Sequence, residues 1–150
     1  MTIDDNERAR RKRLLKVHED AENAHDLDAI MATFSPHAVN TLNEIIATDG
    51  DTTRQVHALL GFGTTPGVLS DLRVVPTHEY FTDEEIVHEG HLRATHTGLA
   101  PGFPPPSFRE VVMPYIAIYR FDEHDLLVSE RIKLDLSPLY APTPTKPEGT

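Results

Sequence analysis

The second half of this chain constrains its fold most. Between Leu72 and Leu136 four long extended runs follow one another, with no helical periodicity between them. Leu72 to Phe81, Glu85 to Thr97, Glu110 to Phe121 and Leu126 to Leu136 are rich in β-branched and aromatic residues and are separated by clear breaks. Asp122 to Asp125 is a tight polar turn, so the last two runs form a hairpin. The first half reads differently. Residues 6 to 24 carry Leu14, Val17, Ala21 and Ala24 at spacings of three and four, the stripe of an amphipathic helix. Asp26 caps a second short helix, Leu27 to Phe34, which Ser35-Pro36 ends because proline disfavours helical geometry in the residue before it. Ala38 to Ile46 is extended, and Thr52 to Leu60 is a third helix that leaves through the glycine-rich segment Gly61 to Gly67. Helices gathered early and strands gathered late predict an α+β fold. The expected shape is a cone, a strongly curved antiparallel sheet packed on three N-terminal helices. A bent sheet closed by helices encloses an apolar pocket, a natural place for a small-molecule site.

With 150 residues the chain has the size of one domain, expected to be ordered over about residues 8–136. The tail from 137 to 150 holds four prolines and reads as a strap or a disordered segment. There is no cysteine, which excludes disulfides, thiolate zinc sites and cysteine nucleophiles. No apolar run has the length of a membrane span and no secretory signal opens the chain, so the expectation is a cytoplasmic protein without a membrane partner. The net charge is −10, unevenly spread. The first 16 residues hold six basic and three acidic side chains, leaving +3 there and −13 on the remainder. An acidic body does not suit nucleic acid, which needs clustered cations. The basic run reads as a solvated first stretch of helix rather than an anion site.

Three segments carry a resemblance. The opening helices run into Phe34-Ser35-Pro36-His37-Ala38-Val39; a strand ends in Thr95-His96-Thr97-Gly98; and Glu130 is followed by Asp135 on the last strand. In this order they resemble the SnoaL-like polyketide cyclases of the nuclear transport factor 2-like (cystatin-like) superfamily, over about residues 10 to 136. The resemblance implies a cofactor-free enzyme with Asp135 as acid/base and His96 assisting. Two family features are absent. The Pro-Thr-Gly-Arg segment is replaced by Pro104-Pro105-Pro106-Ser107-Phe108-Arg109, and the last strand has no tryptophan.

Asp135 lies in Ile132-Lys133-Leu134-Asp135-Leu136. A carboxylate buried among such neighbours has a raised pKa, which suits a general base acting on a carbon acid. The alternative is an Asp paired with Lys133 or Arg131 at the sheet surface. His96 is placed to donate to an enolate oxygen or to shuttle a proton, against the alternative of a satisfied strand-end histidine. His91, Arg93 and Thr95 share the other face of that strand, and Arg93 becomes an oxyanion anchor if that face lines the pocket. Epoxide hydrolases of the superfamily carry Arg-x-Asp there; His91 and Arg93 lack the Asp, which disfavours epoxide hydrolysis by two carboxylates. Asn40 is a candidate for orienting a water or carbonyl. Tyr115 and Tyr119 share one face of the third long strand as hydroxyl donors or core residues. The apolar lining is expected from Phe34, Val39, Phe62, Val112 and Ile116.

Metal binding through His88-Glu89-Gly90-His91 fails, because on a strand His88 and His91 face opposite ways, and His96 lies ~26 Å along from His88. His18, Glu22 and His25 share a helical face that reads as solvated. No phosphate loop and no Gly-x-Ser-x-Gly is present. These readings converge on a cofactor-free, metal-free enzyme for an apolar or polycyclic substrate. It would abstract a proton next to a carbonyl, leading to cyclisation or isomerisation. A hydrolase or dehydratase on the same scaffold, and a non-catalytic binding or dimerisation module, are the alternatives. The exposed outer face of an open sheet predicts a homodimer.

Overall fold

A computed structural model of the chain describes residues 3–140. Three helices come first in the fold: α1 (Asp5–Asn23), α2 (Leu27–Ala32) and, after two strands, α3 (Gly50–Leu60). Each starts at an aspartate whose side chain accepts from a backbone N–H three residues on: Asp4 from Glu7, Asp26 from Ala29 and Asp49 from Thr52. The strands are β1 (Phe34–Leu42), β2 (Ile45–Ala47), β3 (Leu69–Phe81), β4 (Ile86–His96), β5 (Glu110–Phe121) and β6 (Leu127–Leu134). They form one six-stranded sheet in the order β2-β1-β6-β5-β4-β3. The four late strands pair as the expected antiparallel meander, while β1 lies parallel to β6 and makes the sheet mixed. Register shifts in β3, between Ser70 and Arg73 and between Pro76 and His78, are bulges of the kind that bend a strand. The sheet curves and does not close.

Two boundaries differ from the sequence-based expectation. The second helix stops at Ala32, and extended structure begins at Phe34 rather than Ala38, because Phe34 pairs with Leu127 and Ser35-Pro36 already favours extended backbone. A short strand, Ile45–Ala47, folds back on β1 through Asn43 and Glu44, with Asn43 at φ 51°. Of the expected tail, Ser137–Tyr140 forms a turn of 3-10 helix; 141–150 lie outside the described residues.

Strand alternation divides the sheet into an inner and an outer face. On β4 the even positions Ile86, His88, Leu92, Ala94 and His96 are buried; on β5 the odd positions Val111, Met113, Tyr115, Ala117 and Tyr119 are buried. The helices cover this face. The buried side of α1 is Arg11, Leu15, His18, Ala21 and Glu22, so its inward stripe is largely polar and Val17 is exposed. Val39, Val112 and Ile116 point outward and are 43–47 % exposed, so they line no pocket.

Arg8, Lys12, Arg13 and Lys16 are exposed, as expected of a solvated basic run, but Arg10 and Arg11 are structural. Arg11 is 5 % exposed, and its guanidinium donates to the carbonyls of Thr82 (2.9 Å), Glu85 (3.0 Å) and Asp83 (2.6 Å) and to Glu7 Oε1 (2.9 Å). It closes the β3–β4 turn. Arg10 does the same for the β5–β6 turn, donating to Asp125 Oδ1 (2.7 Å) and to the Asp122 carbonyl. The expectation of a solvated basic stretch holds for neither residue, because the hairpin ends bring carbonyls to them.

Candidate active site

The inner face and α3 leave a narrow cavity of about 50 Å³, room for a few waters at ~10–15 Å³ each. Leu42, Ile45, Ala47, Val56, Leu60, Phe62, Val74, Leu92, Ile132 and Leu134 make its walls. Its polar lining comes from Glu22, Asn40, Thr41, Thr53, His57, Tyr115, Tyr119 and Glu130. Among the described residues no lysine or arginine lines it.

Four buried titratable groups, His18, Glu22, His57 and Glu130, meet beside this cavity, and the last three line it. His18 is fully buried, and Glu22 and Glu130 are 4 % and 3 % exposed. His18 Nε2 lies 2.8 Å from Glu22 Oε1 and 2.8 Å from Glu130 Oε2. Its other nitrogen, Nδ1, is 2.8 Å from Thr33 Oγ1, whose own proton goes to the Ile30 carbonyl at 2.6 Å. Thr33 therefore accepts, and Nδ1 carries a hydrogen. His57 repeats the pattern: Nδ1 donates to the Thr53 carbonyl at 2.8 Å, and Nε2 faces Glu130 Oε1 at 3.7 Å and Glu22 Oε1 at 3.9 Å.

Asn40 ties these parts together. Its Oδ1 accepts from the Glu130 N–H at 2.9 Å, and its Nδ2 donates to Thr53 Oγ1 at 3.1 Å. It thus couples β1 to β6, which carries Glu130, and to α3, which carries His57. Phe34 packs edge-on against His18 and His57, with ring centroids 5.2 and 5.7 Å away.

The electrostatics follow from this crowding. Burial would lower the pKa of His18, but Glu22 and Glu130 outweigh it and raise it to about 10. Burial raises the Glu22 carboxyl despite the His18 charge. Burial also opposes ionisation of Glu130, yet His18 and His57 together hold it below the ordinary value. The two carboxyl groups are thus pushed apart, one toward the acid and one toward the carboxylate, an arrangement that separates acid and base roles. The Tyr115 hydroxyl is buried without a hydrogen-bond partner among the described residues, and burial pushes its pKa up, keeping it a neutral donor.

The sequence-predicted residues fall into two groups. Asn40, Tyr115 and Tyr119 line the cavity. Asp135, His96, His91 and Arg93 do not. β6 ends at Leu134, so Asp135 turns to the surface, where its carboxylate accepts from the Ser137 N–H at 2.9 Å. Hydrogen bonding from the Ser137 side chain, and then from that N–H, lowers its pKa, the reverse of the raised value expected from its apolar neighbours. His96 is buried at the far end of β4, with neither ring nitrogen hydrogen-bonded among the described residues, and burial lowers its pKa. Arg93 lies on the outer face, paired with Glu110 at 2.7 Å, and His91 shares that face. His88 points inward, opposite to His91, and is held between Glu19 (2.8 Å) and Glu79 (2.7 Å).

The reading of His18 and Glu22 as a solvated helix face is overturned, and His57 gave no sign of a role. The available signal was the spacing of Arg11, Leu15, His18 and Glu22, four and three apart. Hydrophobic periodicity passes over such a stripe because three of its four members are polar.

The SnoaL-like domain family matches the chain over residues 16–130. No curated protein sequence matches it. Among solved structures, a candidate SnoaL-like polyketide cyclase from Jannaschia sp. CCS1 is similar at 17 % identity, covering 95 % of this chain and 99 % of that one, with a TM-score of 0.76. AclR, a candidate hydroxylase from Streptomyces galilaeus, is 21 % identical, covers 92 % and 90 %, and has a TM-score of 0.72. SalBIII, an epoxide hydrolase/cyclase-like enzyme with a role in pyran ring formation in the polyether salinomycin, is 15 % identical, covers 88 % and 95 %, and has a TM-score of 0.69. At these identities the likeness carries the fold.

Proposed function

The chain belongs to the SnoaL-like domain family, and on that premise we propose that it is a small-molecule enzyme whose reacting groups are Glu130 and Tyr115. The proposed reaction is cyclisation or isomerisation of a carbonyl compound. The observation that carries this reading is the placement of Glu130. It is a buried carboxylate on the wall of an apolar cavity, anchored by His18 at 2.8 Å and by its own backbone bond to Asn40. A carboxylate held this way is ionised and fixed in place to take a proton from a carbon next to the substrate carbonyl, its position offsetting the basicity that its lowered pKa removes. The unpartnered Tyr115 hydroxyl, on the same cavity, donates to the oxygen where charge develops. His18 and His57 balance the charge of the carboxylates, and Glu22 is the second group able to return a proton.

The cavity favours a slender, mostly apolar substrate without negative charge, since the Glu130 carboxylate and, among the described residues, no lysine or arginine face it. A second reading, hydrolysis or dehydration, is supported by the same pair of carboxylates around space for water. The absence of an Arg-x-Asp on β4 does not count against it here, because α1 and β6 supply both carboxyl groups.

The experiment is a paired substitution assayed on a panel of neutral ketones, cyclic enones and epoxides. Glu130→Gln is expected to lower kcat/KM by about 10²–10⁴-fold. Asp135→Asn is expected to leave it unchanged. The opposite outcome, with Asp135→Asn inactive and Glu130→Gln active, would return the chemistry to the end of β6.

A further inference from the structure

The buried cluster contains more lone pairs than protons to separate them. His18 Nδ1 and His57 Nδ1 both carry hydrogens, fixed by Thr33 Oγ1 and the Thr53 carbonyl. Both Nε2 atoms therefore turn toward one point, and that point is flanked by two carboxylates. His18 Nε2 is 2.8 Å from both Glu22 Oε1 and Glu130 Oε2, but it has at most one hydrogen to offer the two. The remaining contacts, 3.7 and 3.9 Å from His57 Nε2, are too long for hydrogen bonds. One hydrogen at His18 Nε2 serves only one of the two carboxyl oxygens at 2.8 Å, and Glu130 Oε2 has no hydrogen-bond partner among the described residues, so a cation between the four side chains would take the lone pair left over.

We propose that His18, Glu22, His57 and Glu130 form a site for a divalent first-row metal ion of the zinc class. The nitrogen and oxygen ligands all lie within 4.8 Å of one another. Tetrahedral bonds of ~2.0–2.2 Å set ligand atoms ~3.3–3.6 Å apart, so the 2.8 Å pairs open and the widest pair closes by about an ångström as the ion enters. Two imidazoles with two carboxylates suit zinc and its neighbours in the first row rather than calcium or magnesium, which prefer oxygen alone. Two carboxylate charges are balanced by one doubly charged ion. Each histidine has its outer nitrogen held by a hydroxyl or carbonyl acceptor, the support that ligating histidines need to present the other nitrogen. Glu22, His57 and Glu130 line the cavity, which supplies the entry path.

The site stands on this geometry whether or not Glu130 is the reacting base. The ion takes the lone pairs that the proton-transfer reading uses, so metal loading and turnover compete. The test is titration of the tag-free full chain with Co²⁺ followed by visible absorption, and with Zn²⁺ followed by calorimetry. One ion per chain is expected, with d–d bands of nitrogen and oxygen ligation. Thr33→Val removes the acceptor behind His18 and is expected to weaken binding by about 10–100-fold. His57→Ala is expected to weaken it further, and circular dichroism checks that both variants fold. Absence of Co²⁺ and Zn²⁺ binding at millimolar concentration, or binding that both variants leave intact, overturns the site. Turnover measured on the same samples separates the two readings. Bound zinc that suppresses turnover supports both. Bound zinc that turns over as fast as metal-free protein keeps the site and overturns proton transfer by Glu130.

Discussion

Replacing Arg11 by alanine tests whether this one buried member of the basic run is a structural device. The guanidinium is 5 % exposed and donates to the three carbonyls of Thr82, Asp83 and Glu85 as well as to Glu7. A hydrogen bond to a charged group contributes about 1.5–3 kcal/mol. The carbonyls sit at a turn that water reaches once the side chain is gone, so the losses do not add; about 3 kcal/mol in total is expected. Unfolding entropy of roughly 2.1 cal/mol/K per residue makes that a fall in Tm of about 10 °C for a chain of this length. Lysine cannot reproduce a planar fork with several donors, so Arg11→Lys should recover less than half of the loss. Thermal unfolding by circular dichroism, with urea midpoints beside it, measures both. A fall below about 2 °C would refute the reasoning and return Arg11 to a solvated face.

Three further outcomes are expected. Tyr115→Phe removes a buried hydroxyl with no partner among the described residues, so Tm should hold or rise while kcat/KM falls by about 10²–10³-fold; a large loss of stability would mean the hydroxyl is satisfied after all. His88 faces Glu19 and Glu79, with Lys12 beside Glu79 and the Tyr119 ring against it; its hydrogen bonds to both carboxylates outweigh burial and raise its pKa. A raised folded pKa makes this contribution fully present below about pH 6.5 and lost as pH climbs through the folded value, so the stability gap between wild type and His88→Asn should narrow on alkalinisation; a gap that widens would contradict it. Asn40→Ala frees the Glu130 N–H and Thr53 together, and should lower kcat/KM with little change in KM, read by steady-state kinetics; a pure KM effect would make Asn40 a binding residue only.

Much of the fold was legible because backbone periodicity is a local property. The run of strands after Leu72, the polar turn at Asp122 to Asp125 and the aspartate cap at Asp26 depend on neighbours a few residues away. The family resemblance rested on the same order of elements. The opposite facing of His88 and His91 also followed from strand alternation alone. Which face is inner did not, because alternation is symmetric and Val39, Val112 and Ile116 are as apolar as the residues that line the core.

The site was decided by tertiary structure. His18 and Glu22 are polar, and a helix carrying them is more stable in water unless partners wait inside. Those partners, Glu130 and His57, are 112 and 39 residues along the chain from His18 and meet it only when β6 lies beside β1 and α3 folds over both. Asp135 shows the converse: its apolar neighbours indicated burial, but β6 ends one residue earlier and the carboxylate turns outward. Local sequence determined the strands and helices and the alternation along them. Only packing could decide which charges are taken out of water, because the cost of burying a charge depends on the groups it meets there.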